Sequence, residues 1–122
     1  MIRYFVHRGG RTEAVDRLDT ALLDPASGVY VWADVVEPTD DDAAVLREVF
    51  GLHELAVEAA VQRETNPKVE SYGRYLYIVL HGINFQAAEH TFETHETDFF
   101  LASNFLITIH DGQRRSIAHI VE

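Results

Sequence analysis

The side chains able to do chemistry fall into three groups. They are the run Asp40-Asp41-Asp42, the pair Glu54 and Glu58, and the histidines at 81, 90 and 95. Hard cations take carboxylate oxygens and water, so the aspartate run has the composition of a magnesium site. It also directly follows Pro38-Thr39 and opens an apolar-periodic stretch, where helix capping and dipole compensation account for it without a metal. Glu54 and Glu58 are one helical turn apart and share a face, either as half of a cation site completed by a neighbouring subunit or as an ordinary wet face. His81, His90 and His95 offer three imidazoles on an expected hairpin. Zinc requires convergent ligands at about 2.0–2.1 Å, and strand alternation sets His95 beside Glu93 and Thr97 on the wet side. His53 and His110 read as structural histidines.

Nucleophilic chemistry finds little support. The chain contains no cysteine, which excludes thiolate metal sites, disulfides and a cysteine nucleophile. Ser71, Ser103 and Ser116 lack the strand–turn–helix context of a nucleophile elbow. His7-Arg8-Gly9-Gly10-Arg11 has two glycines without the pattern of a phosphate cradle. Lys68 and Glu70, two apart on a strand, suit an exposed ion pair. The chain is therefore read as a non-enzyme, with a hydrolase using a His/Asp metal site as the enzymatic alternative.

These residues sit in 122 positions that are 47% apolar and 25% charged, the composition of one globular domain, residues 1–122. The formal net charge is −10, and the scattered Lys and Arg form no basic stripe. Nucleic acid and anionic membrane surfaces are disfavoured as partners, whereas cations are attracted. The amino terminus turns polar after six residues and does not read as a signal peptide. The apolar run Tyr75–Leu80 is far below the ~20 residues of a bilayer span.

The elements that must position the groups follow from pattern and punctuation. Ile2–Val6 reads as a strand ended by the glycine pair, and Thr12 as the cap of a short helix to Leu23, with Val15, Leu18 and Leu22 at helical spacing. Val29–Val36 is a strand with little alternation. Thr39 caps a helix with Val45, Leu46, Val49 and Phe50 in one stripe and Gly51 at its end. A second helix runs roughly from His53 to Arg63. After Pro67 come strands in KVESY, RYLYIVLHGINF, THETDFFLA and NFLITIHD, joined by connections short enough to require antiparallel pairing. The final QRRSIAHIVE reads as the first turns of a helix. Tyr75–Leu80 is apolar at odd and even positions alike, so both of its faces need cover. The expected fold is α/β (α+β): a mixed, largely antiparallel sheet flanked by helices on both faces.

Four fragments, in order, resemble the N-terminal cytoplasmic domain of the CorA family of magnesium and cobalt transporters. Trp32-Ala33-Asp34 with Pro38-Thr39 is similar to the family's Trp-x-Asp and Pro-Thr segment. Val49–Ala60, VFGLHELAVEAA, is similar to its Phe-Gly-x-His-Pro-Leu stretch and the acidic pair beyond. NPKVESYGRYLYIVL and FFLASNFLITIHD are similar to its Arg-Pro-Lys-x-Glu strand entry and its Asn-Phe-Leu-Ile-Thr-x-His hairpin. The departures are Glu54 for the motif proline, Asn66 for the motif arginine, and Ala59 for the second acid of the pair.

The resemblance implies a regulatory domain of a divalent-cation transporter on the cytoplasmic side of the membrane. Such a domain assembles with like subunits as a homopentamer, and cytosolic Mg2+ at subunit interfaces closes the ring. Glu58 is the matched metal-binding acid; its usual partner falls on Ala59, whose methyl group cannot coordinate. That substitution favours, as an alternative, the zinc-transporting branch with Zn2+ as the ion. A free-standing module without a pore is the other alternative. The only methionine is Met1, so the family's Gly-Met-Asn pore signature is absent. The expectation is a fragment without stalk or membrane helices, touching the membrane only through its missing C-terminal part.

Overall fold

The computed structural model describes residues 1–62, 66–86 and 91–111. Among the described residues the chain forms one seven-stranded sheet in the order β2-β1-β3-β7-β6-β5-β4. The strands are β1 (Ile2–Arg8), β2 (Arg11–Val15), β3 (Tyr30–Val36), β4 (Lys68–Ser71), β5 (Tyr75–Gln86), β6 (Thr91–Ala102) and β7 (Phe105–His110). Two helices, α1 (Asp40–Glu48) and α2 (Glu54–Gln62), lie between β3 and β4 in the chain. All pairings are antiparallel except β3 with β7, which run parallel with Val31 beside Phe105 and Val36 beside His110.

One sequence expectation is corrected. Thr12–Leu23 is not a helix: Arg11–Val15 folds back on β1 as β2, and only Thr20–Leu23 makes a short 3-10 turn. The cause is the glycine pair. Gly9 and Gly10 have φ of 57° and 75°, the two positive values of a tight hairpin turn whose twist matches paired strands. That turn places Arg11 opposite Arg8, so β pairing overrides the helical spacing of Val15, Leu18 and Leu22.

The aspartate run behaves as capping requires. The Thr39 hydroxyl accepts from the Asp42 N–H at 3.2 Å, and the Asp42 carboxylate accepts from the Thr39 N–H at 3.0 Å, a reciprocal capping box. Asp42 also takes the Met1 ammonium at 2.7 Å. Burial pushes the Asp42 carboxyl up, but the ammonium and the Thr39 donors outweigh it and hold it below its ordinary value. Gly51, φ 69°, ends the first helical segment as its position suggested.

Val31, Ala33 and Val35 of β3, Ile107 and Ile109 of β7, Phe100 of β6 and Tyr77 and Val79 of β5 are fully buried in one core. Leu46 of α1 and Ala56, Val57 and Ala60 of α2 belong to the same cluster. Both helices therefore cover one face of the sheet. On the other face Leu76, Leu80 and Leu101 are 37, 52 and 38% exposed, and Val69 of β4 is 65% exposed. The apolar run Tyr75–Leu80 is thus shielded on the helix side and half open on the other among the described residues. The segment expected to start another helix, within residues 112–122, lies outside them.

Candidate functional site

A buried polar cluster lies on the sheet face away from α1 and α2, at the junction of β1, β3 and β7. Register places Arg3 beside Asp34, and Asp34 beside Thr108. The Asp34 carboxylate is fully buried. Its Oδ1 accepts from the Thr108 hydroxyl at 2.7 Å and from His110 Nε2 at 2.7 Å, and its Oδ2 from Arg3 Nη2 at 2.5 Å. A carboxylate only accepts, so His110 carries its proton on Nε2. Trp32 Nε1 donates to the Thr108 oxygen at 2.9 Å, which orients that hydroxyl toward Asp34. Burial raises the Asp34 pKa, but bonds from His110, Thr108 and Arg3 more than reverse this and leave it below the usual carboxylate value. Phe5 stacks on Trp32 at 4.9 Å and extends the cluster across β1.

A second buried carboxylate, Asp98 on β6, lies on the helix-covered face and accepts from the Tyr77 hydroxyl at 2.6 Å. The Tyr77 ring stacks on Phe100 at 4.7 Å, and the Lys68 ammonium lies 5.3 Å from the centre of the Tyr77 ring. Lys68 and Glu70 pair at 2.6 Å near the surface, an arrangement the sequence foretold and one worth under ~1 kcal/mol when solvated.

The acids singled out from the sequence stand elsewhere. Glu54 and Glu58 project from exposed positions on α2, along a groove of about 290 Å3 between α1 and α2 that Asp40 and Arg47 also line. Glu58 accepts from Gln62 at 3.2 Å, and Ala59 is half-buried beside it. Among the described residues no three His, Asp or Glu side chains converge as a metal would require. Of the histidine group, only His81 has a described side chain. His81 lies 3.7 Å from Glu96, His95 pairs in register with Gly82, and His90 falls outside the described residues. The structural reading of two histidines holds: His53 Nδ1 accepts from the Leu55 N–H at 3.1 Å, and His110 serves Asp34.

What the structure offers is thus a rigid polar junction beneath one sheet face and an acidic groove on the other, with no catalytic constellation among the described residues. No helix among them is long and apolar enough to cross a membrane. The Trp32-Ala33-Asp34 segment, the Pro-Thr helix entry and the Thr108-x-His110 end of β7 belong together in space, which gives the sequence resemblance a physical basis.

The comparisons define the class. The family model for CorA-like Mg2+ transporter proteins matches residues 27–122, and the chain belongs to that family. Among relatives, the Bacillus subtilis protein YfjQ, named as a candidate metal ion transporter, is 34% identical over 93 residues, covering 76% of this chain and 28% of YfjQ. The complete CorA magnesium transporter of Methanocaldococcus jannaschii superposes with a TM-score of 0.76 at 16% identity, over 99% of this chain and 35% of that one. The cytoplasmic domain of Vibrio parahaemolyticus ZntB gives 0.70 at 12% identity, over 98% of this chain and 47% of that one. At these identities the structural likeness speaks for the fold. The chain spans less than a third of the length of YfjQ.

Proposed function

We propose that this chain is the cytoplasmic portion of a CorA-like divalent-cation transporter, carrying Mg2+ or Co2+, in which it senses cytosolic cation and sets the state of the pore. The observation that carries this reading is the match of the family model to residues 27–122. The fold is consistent with it, because nearly the whole chain superposes on part of a complete magnesium transporter, with a TM-score of 0.76. The pore and stalk would be supplied by sequence outside this chain, and five like subunits would form the ring.

Within that reading Glu58 is the regulatory acid. It is exposed on α2 and free of any local metal cluster among the described residues, so a cation there needs oxygen donors from a neighbouring subunit. Ala59 contributes none. The residues present fit a shared, weak Mg2+ site and not a closed cage. Cation binding would neutralise the acids facing one another across subunits of a chain whose net charge is −10; loss of cation would let them repel and loosen the ring. A ligand shifts such an equilibrium only through its differential affinity for the two states.

The test is cation uptake by the polypeptide carrying this domain, reconstituted in vesicles with a Mg2+-sensitive dye inside. Mg2+ uptake, inhibited by Mg2+ on the domain's side and less so in Glu58→Ala, is the expected result. Absence of any divalent flux would refute the transporter reading, and inhibition unchanged by Glu58→Ala would remove Glu58 alone. The second reading, a zinc transporter, draws on the likeness to ZntB and on Ala59; it requires Zn2+ flux in place of Mg2+ flux.

A further inference from the structure

Where β5 begins and β6 ends, several turns meet over one end of the sheet. They are the α1–α2 corner, the β4–β5 turn, the β6–β7 turn and the segment around Pro25, and they line an open-mouthed cavity of about 590 Å3. That is within the range of small-molecule sites, roughly 300–1,000 Å3. Its floor is aromatic and firm. Phe50, Tyr75 and Phe105 are 6, 7 and 9% exposed. Phe50 meets Phe105 edge to face at 5.4 Å, and the Tyr75 hydroxyl is fixed by the His53 N–H at 2.8 Å.

The mouth carries a cation. Arg74 follows Gly73, whose φ of 84° turns the chain back over the cavity. A Cβ on Gly51 would stand 3.4 Å from Arg74 Nη2, so the bare glycine leaves the guanidinium room to lie against the corner. Among the described residues Arg74 makes no ion pair. Glu48 lines the same cavity.

We propose that this cavity binds a small organic monocarboxylate with an aromatic or branched apolar body. The body lies on Phe50, Tyr75 and Phe105, where ring edges and faces favour apolar and aromatic contact. The carboxylate takes the Arg74 fork, whose planar donors match its two oxygens. Glu48 sets the charge limit: a dianion or trianion gains one guanidinium and meets one carboxylate, so phosphate and citrate are disfavoured. The inference stands apart from cation transport; the cavity is separate from the α1–α2 groove that carries Glu58.

The probe is 3-phenylpropionate, titrated into 15N-labelled chain and followed by amide chemical shifts. Saturable shifts are expected at Gly51, Gly73 and Ser103, with a dissociation constant on the order of 1 mM or tighter. Arg74→Gln should weaken binding about tenfold, the loss of one charge-assisted contact, and Arg74→Lys should fall between. Arg74 is exposed, and retention of the amide spectrum checks that the variants fold. Citrate and inorganic phosphate should leave the same amides unmoved, and neutral 3-phenylpropanol should bind like the Arg74→Gln complex. Four results would overturn the proposal: no saturation, equal binding by Arg74→Gln, equal binding of the neutral alcohol, or shifts centred on Leu76, Leu80 and Leu101.

Discussion

Replacing Asp34 by asparagine changes one atom in the buried junction and removes the geometry that holds it together. The carboxylate presents two acceptors to three donors: Thr108 and His110 on Oδ1, and Arg3 on Oδ2. An asparagine keeps one oxygen and offers an NH2 on the other side. With the oxygen toward Thr108 and His110, the amide protons face the Arg3 guanidinium. With the oxygen toward Arg3, two donors are orphaned, and Thr108 cannot turn its proton away because Trp32 already donates to its oxygen. The first arrangement costs less. Hydrogen bonds to charged groups contribute about 1.5–3 kcal/mol each, and removing one member of a buried pair costs about 3–5 kcal/mol. The Arg3 side chain is 40% exposed and recovers water, so its share is discounted toward ~1 kcal/mol. A net loss of about 3 kcal/mol remains, a large part of the 5–15 kcal/mol typical of a domain. Urea unfolding followed through Trp32, the chain's one tryptophan, measures it directly. Arg3→Gln in parallel should lose about 1 kcal/mol or less. The pH dependence has a definite sign. The folded Asp34 pKa lies below its unfolded value, so its contribution is complete above about pH 4 and is lost as pH falls through the lower folded value. Asp34→Asn should lack that part of the acid slope. Stability of Asp34→Asn within ~0.5 kcal/mol of the parent, with an unchanged acid slope, would refute the account of the junction.

Thr39→Ala removes the capping hydroxyl of α1 and should cost about 1 kcal/mol by urea unfolding, without changing the slope of the transition. Tyr77→Phe strips the Asp98 carboxylate of a 2.6 Å buried donor and should cost about 1.5–3 kcal/mol, raising the apparent midpoint of acid unfolding. Leu80→Lys, at a site 52% exposed on the open sheet face, should alter stability by no more than ~0.5 kcal/mol while lowering self-association in light scattering; a large loss of stability would show that face to be covered.

Much of this fold is written locally. Thr39 with Asp42, Gly51 and the punctuation at Pro67 marked α1, the helix corner and the run of strands, because caps and turns act over a few residues. The hairpin β1–β2 was missed although its signal was present. Two glycines between an aromatic strand and Arg11–Val15 are a turn, but the spacing of Val15, Leu18 and Leu22 competed with it. The Asp34 junction was beyond reach for another reason. The motif residues Trp32, Asp34 and His110 were visible as family features, but Arg3, Thr108 and His110 lie 31, 74 and 76 positions from Asp34. No local pattern encodes such convergence, and the parallel pairing of β3 with β7 that produces it leaves no turn signal. The cavity by Arg74 was hidden likewise, since each wall comes from a different connection. Glu58 was placed on a helix face correctly, while its role depends on a neighbour that one chain does not contain.

The parallel β3–β7 ladder also dictates the order in which the polypeptide can be completed. During synthesis β1, β2 and β3 leave the ribosome early, yet the bare edge of β3 waits for a strand that begins 74 positions after Val31, at Phe105. The hairpins β5–β6 and β6–β7 can zip locally in the meantime. Until β7 docks, the nascent domain is two half-sheets, each with an open border able to recruit a stranger, and Asp34 lacks two of its donors. Arrival of β7 joins the halves and brings the Thr108 and His110 donors to that buried carboxylate in the same event, so β7 acts as the clasp of the described sheet.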